Sequence, residues 1–131
     1  MDEPRNFHHV VDEIYGKDSR YKPDAYEFTM QALHFTQNRL KRSGHVKAAE
    51  LLEGVRDFAI EQFGPMAETV LSHWGISRTD DFGHIVFNLI EQRVLFKTET
   101  DSLDDFKEVY DFSSVFKNAL RESILKNFKA R

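Results

Sequence analysis

Cysteine is absent from this chain of 131 residues. That removes disulfides, thiolate catalysis and Cys-ligated metals at once, and it is compatible with a reducing cytoplasm. Proline and glycine are scarce, with 3 and 6 copies. Most sit at the edges of patterned segments, and there is no linker at which to divide the chain. Single glycines also exclude a phosphate-binding loop of the GxGxxG or Walker kind. No apolar run approaches the roughly 18–20 residues of a membrane span. The opening "MDEPRNFHHV" is acidic and lacks a hydrophobic stretch, so no signal peptide is expected there. A cytoplasmic location is the default.

What is present points to one globular domain covering residues 1–131. Apolar residues make up 40%, with 12 Phe and 4 Tyr, against 31% charged residues. A core built on aromatic rings is implied. The net charge of −4 argues mildly against a nucleic-acid partner, but the charge is unevenly spread. "RLKRSGHVK" (39–47) holds Arg39, Lys41, Arg42 and Lys47 with no acid, whereas "ETDSLDDFKEVYD" (99–111) holds six acids against Lys107 alone. The tail from Lys117 to Arg131 has five basic residues and one acid. Such runs read either as solvated faces or as docking surfaces of one sign.

Periodicity predicts a mainly α chain, of α+β class, with about six helices. Phe7, Val10, Val11 and Ile14 mark a first helix, Phe7 to Tyr15, with Asn6 as N-cap and Gly16 as its stop. A second begins near Pro23 and ends before Ser43-Gly44. A third runs from about Val46 to Phe63. Gly54 inside it predicts the close approach of another backbone, because a mid-helix Gly costs about 1 kcal/mol against Ala. Gly64-Pro65 opens a fourth, ended by Gly75, and Thr79 caps a fifth, with Asp80 and Asp81 suiting the dipole of its first turn. "RVLFKTET" and "KEVYDF" then break the period, and flanking an acidic turn they predict a small β-hairpin. A final helix starts at Ser113, with Phe112 stapling its start.

Helix, turn, helix and hairpin is the order of a winged-helix half, so the second half is expected to be winged-helix-like. In a duplex reader the start of the fifth helix would meet base edges between phosphates. Here that start is "TDDFGH", and the would-be wing is acidic too. Lys and Arg, which supply most phosphate affinity, are missing where they would be needed.

The stretches "KDSRY…AYEF…AL", "ELLEGVRDFAIEQFGPMAETVLSHWGI" and "TDDFGHIVFNLIEQRVLFKTETDSLDDFKEVYDF" resemble a family of uncharacterised bacterial proteins of similar length, sometimes called the Minf family. The likeness spans about Phe7 to Phe116. It departs at "HVKAAELL", where a small Ser-Gly pair is expected in place of Lys47 and Ala48. The resemblance implies a small cytoplasmic bacterial protein and no catalytic residues.

The residues themselves hold little that reads as chemistry. His8 with Asp12 and His9 with Glu13 share faces of the first helix, but two ligands do not make a metal site. His73 and His84 are expected near one another across a helix turn, as interior or boundary histidines without a nucleophile. Glu50, Glu53 and Asp57 line one side of the third helix as solvated acids. The loop "KDSRY" stands out, because Arg and Tyr concentrate binding energy at interfaces. There Arg20 and Tyr21 either anchor a partner or make local loop contacts and cover the core edge. The partner-binding candidates are therefore Arg20, Tyr21, Arg39, Lys41, Arg42 and Lys47, with no catalytic residue, metal or cofactor. The function expected is a non-enzymatic module that engages a protein partner. The alternative is RNA or DNA binding through the 39–47 loop and the C-terminal helix. A deep pocket holding two convergent titratable side chains would point to an enzyme instead.

Overall fold

A computed structural model describes residues 6–97 and 101–129. The helices are α1 (Phe7–Lys17), α2 (Pro23–Leu40), α3 (Ala48–Phe63), α4 (Ala67–His73), α5 (Thr79–Glu91) and α6 (Phe112–Lys129), with 3-10 turns at Gly64–Met66 and Leu103–Phe106. Asn6 caps α1 as expected, its side chain accepting from His8 N at 2.8 Å. The helix runs through Gly16 rather than stopping at it. Pro23 opens α2, and Lys41 closes it in the left-handed region, φ 54°.

The sequence neighbours α2 and α3 form the main packed pair, and α5 lies against both. Phe28 sits at the centre of the core, 2% exposed, with ring centroids of Phe58, Phe63, Trp74 and Phe82 at 5.4, 5.8, 5.6 and 6.3 Å. Ring pairs of this kind add about 0.5–1.5 kcal/mol each beyond the area they bury. Gly54 faces Thr36 of α2. The close neighbour is therefore a side chain, not the backbone that its mid-helix position suggested, and a Cβ there would lie 1.8 Å from Thr36 Oγ1. Gly75, at φ 94°, ends α4 where the carbonyl of Arg20 approaches, 2.3 Å from where a Cβ would stand. Lys22 N donates to Trp74 O beside it, at 3.1 Å.

The expected α+β architecture needs correction. Among the described residues there is no strand and no sheet, and the fold is all α. Five helices of 11 to 18 residues carry it, where about six were expected; α4 has only seven residues. Residues 98–100 of the expected hairpin lie outside the described residues; in the rest of it, backbone groups find partners elsewhere. After α5 the chain turns at Arg93 (φ 62°), and Val94 N donates back to Leu89 O. Further on, Ser102 and Asp105 cap each other's turn: Asp104 N donates to Ser102 Oγ and Ser102 N to Asp105 Oδ2. Glu108 N donates to Asp80 Oδ1, Val109 N to Thr79 Oγ1, and Thr79 Oγ1 to Phe106 O. Tyr110 Oη donates to Leu52 O at 2.7 Å. Side chains of α5 thus take the place of a partner strand, and the Tyr110 side chain ties the segment to α3.

The winged-helix-like half falls with the hairpin. Segment 106–109 covers the first turn of α5, where a recognition helix would have to be open. The principal partners of α4 are α3 and α6. Arg78, not Thr79, is the N-cap residue of α5. The capping side chain is Asp81, whose Oδ2 accepts from Ser77 N at 2.8 Å and Arg78 N at 3.0 Å.

Candidate functional site

The six residues singled out from the sequence fall into two clusters. In the first, Arg20 is exposed and forms a fork to Asp18, Nε to Oδ1 at 2.9 Å and Nη2 to Oδ2 at 2.7 Å. Its guanidinium lies over the Tyr21 ring, 5.3 Å from the centroid. Asn88 of α5 donates to Asp18 and to the Tyr26 hydroxyl, tying the loop to the core. The Arg20 guanidinium holds the Asp18 carboxyl well below its ordinary range. Tyr21 is 2% exposed and donates to Asp81 Oδ1 at 2.6 Å. Burial first, then that bond, pushes its phenol well above the usual value. His84 stacks on it at 6.5 Å, whereas His73 is exposed at the end of α4. Local loop contacts and core coverage are the geometry seen here.

In the second cluster, Arg39 pairs with Asp57 and lies over Phe35, and Arg42 pairs with Glu50 at 2.8 Å. Glu50 also accepts from Lys47 N, capping α3. Arg42 and the Lys47 amide lower the Glu50 carboxyl below its ordinary value. Burial would raise Asp57, but Arg56 and Arg39 more than offset it. Both arginines of the basic loop are thus neutralised by acids of α3. Lys41 and Lys47 are exposed, with no ion pair among the described residues.

A cavity of about 360 Å³ was not foreseen, and its size is on the scale of pockets that take ligands. Its walls are Thr29 and Leu33 of α2, Ala48 and Leu51 of α3, Val86, Phe87 and Ile90 of α5, and Val94 and Leu95 beyond it. Val46, His45, Asp101 and Asp105 stand at its mouth. There His45 Nε2 lies 3.1 Å from Asp101 Oδ1, with the side chains 38% and 21% exposed. The basic and acidic runs of the sequence therefore meet one another here. This is the sequence signal that pointed to the cavity, because its walls combine residues 29–51 with residues 86–106.

The pair at the mouth is the convergent titratable pair that would favour an enzyme. Two hydroxyls of the lining are engaged: Thr29 Oγ1 donates to Ala25 O, and Ser102 Oγ accepts from Asp104 N. Among the described residues no three His, Asp or Glu side chains group as metal ligands. The cavity is an apolar chamber whose lip carries Asp101 and Asp105 beside Lys97 and His45.

The second feature is α6. Phe112, Phe116, Leu120, Ile124 and Phe128 recur every four residues and form one ridge. Phe112 and Phe116 are 5% and 6% exposed, Leu120 is half-buried, and Ile124 and Phe128 are 56% and 79% exposed. The helix therefore carries core-type residues past the end of the core, and Leu125, also half exposed, joins them. Exposed Lys117 and Arg121 flank the overhang. No helix among the described residues is long and apolar enough to cross a membrane.

No family model, curated protein or solved structure matches the chain.

Proposed function

We propose that the chain is a non-enzymatic protein–protein interaction module of a reducing cytoplasm, engaging its partner through the overhanging end of α6. The observation that carries this reading is the ridge that passes from buried Phe112 and Phe116 to exposed Ile124 and Phe128. Two large apolar side chains held on a helix, at a cost in hydration, are the anchors of helix-in-groove recognition. The interleaved Lys117 and Arg121 specify the other face: an apolar groove with an acidic rim.

The nucleic-acid alternative draws on the same basic helix, but its other half is weakened. Arg39 and Arg42 already face Asp57 and Glu50, so neutralising phosphates would mean breaking both pairs. The Minf resemblance adds no activity to either reading.

The test is a tagged pull-down from the native host, nuclease-treated, with the natural chain and with Ile124→Ser/Phe128→Ser. A protein retained by the first and lost by the second is expected. An identical set on both refutes the α6 reading.

A further inference from the structure

The half-buried apolar side chains around the core are not evenly scattered. Leu33, Val46, Val86, Phe87, Val94 and Leu95 pack against it, and all six line the cavity between α2, α3 and α5. Each leaves apolar area uncovered there, so an apolar molecule that enters completes their burial. We infer that this cavity is a binding site for a small, neutral, apolar molecule, separate from the end of α6.

Three observations select that class of ligand. The first is size. An apolar cavity of about 150 Å³ takes benzene, so by proportion a cavity of about 360 Å³ holds about 14 non-hydrogen atoms. The second is the polarity of the walls. Thr29 Oγ1 donates to Ala25 O at 2.7 Å, and Gln37 Nε2 donates to Gly44 O at 3.0 Å. Among the described residues no buried side-chain nitrogen or oxygen lacks a partner. An ordered water needs about 2–4 polar partners, and these side chains have already spent their donors within the fold.

The third observation is the charge at the mouth, where each ionic side chain is already engaged. His45 Nε2 lies 3.1 Å from Asp101 Oδ1, and Asp105 Oδ2 accepts from Ser102 N at 3.0 Å. Lys97 Nζ stands 5.9 Å from the centre of the Phe87 ring. Acids and bases stand side by side around the opening, so neither a carboxylate nor an ammonium head meets a field of one sign. A charged ligand would give up hydration without gaining an unengaged counter-charge. A neutral one gives up nothing there.

The experiment titrates the full natural chain with N-phenyl-1-naphthylamine, a neutral dye that fluoresces in apolar surroundings. Saturable binding of one molecule per chain is expected. Displacement then compares 1-decanol with decanoate and decylammonium, and the two ions are expected to bind at least tenfold more weakly. Ala48→Trp, at a half-buried wall position, fills the cavity and is expected to weaken the dye at least tenfold, with circular dichroism and melting as checks on folding. Should that variant fail to fold, methyl resonances of the natural chain decide: 1-decanol is expected to shift those of Leu33, Val46, Val86 and Val94. The absence of saturable binding overturns the inference, as does a folded Ala48→Trp that binds as the natural chain does, or methyl shifts confined to other residues. Binding lost in Ile124→Ser/Phe128→Ser belongs to the α6 ridge and overturns it too. An ion that binds as tightly as the alcohol overturns the neutral class.

Discussion

Replacing Gly54 by Ala separates two physical accounts by the sign of the effect. On helix propensity alone, Ala in the middle of α3 would stabilise by about 0.8–1.0 kcal/mol. The tertiary neighbour reverses this. The new Cβ would stand 1.8 Å from Thr36 Oγ1 and 3.0 Å from its Cβ. Thr36 is 1% exposed, and its hydroxyl donates to Ala32 O at 2.7 Å, so turning it aside breaks a buried bond. Moving α2 away from α3 would instead loosen the packing around Phe28. Overpacking costs of about 1–3 kcal/mol, with a lost hydrogen bond of about 1 kcal/mol, outweigh the propensity gain. The expected net loss is about 1–2 kcal/mol, or a melting temperature lower by roughly 3–8 °C. Urea unfolding followed by circular dichroism measures it. Thr36→Ala removes the clashing oxygen, so Gly54→Ala in that background should be close to neutral, giving a coupling of about 1–2 kcal/mol. A stabilised single variant, or effects that simply add, would refute the packing argument.

Asp81→Ala should cost about 2–4 kcal/mol in urea unfolding, since it removes the cap of α5 and strands the Tyr21 hydroxyl. Tyr21→Phe should cost about 1.5–3 kcal/mol through the lost bond to a carboxylate while leaving capture in the pull-down unchanged; weakened capture would restore Tyr21 as a contact residue. The carboxyls of Asp18, Asp57, Asp80 and Asp111 are held below their ordinary value of 3.8 by Arg20, by Arg56 and Arg39 against burial, by the Glu108 amide and by the Ser114 amide. Their stabilisation is present above that value and lost as pH falls through the lower folded values. The urea midpoint should therefore stay level down to about pH 5 and fall below pH 4, less steeply in Asp18→Asn; an unchanged slope in that variant counts against the Arg20 fork. Tyr21, Tyr26 and Tyr110 are raised above 10.0, chiefly by burial. Their contribution is present below that value and lost as pH rises, so their phenolate absorbance should appear only with unfolding, and early ionisation without unfolding would refute the burial assignment.

The residues that could be read locally are those whose physics is local. The i, i+3, i+4 stripe of α1, the Asn6 cap, Pro23 at the start of α2 and the long pattern of α3 need only near neighbours in the chain. The misreadings arose where a neighbour distant in sequence took over. "KEVYDF" has strand-like composition, but the Asp80 carboxylate and the Thr79 hydroxyl accept from its backbone at Glu108 and Val109, so it forms no ladder. Thr79 resembled a cap, yet Asp81 caps α5 while Thr79 reaches residues 106 and 109. The basic loop looked like a free cationic surface until α3 supplied Asp57 and Glu50.

The sequence by itself determined that the chain is helical, rich in buried rings and free of thiol chemistry, because composition and period act through the residue and its turn. Only the tertiary structure decided that Gly54 makes room for Thr36 and that His45 faces Asp101. It also decided that a chamber opens between α2, α3 and α5, and that the apolar ridge of α6 outruns its core. Each of these depends on groups tens of residues apart meeting in space, where close packing and the pairing of opposite charges, rather than local preference, set the outcome.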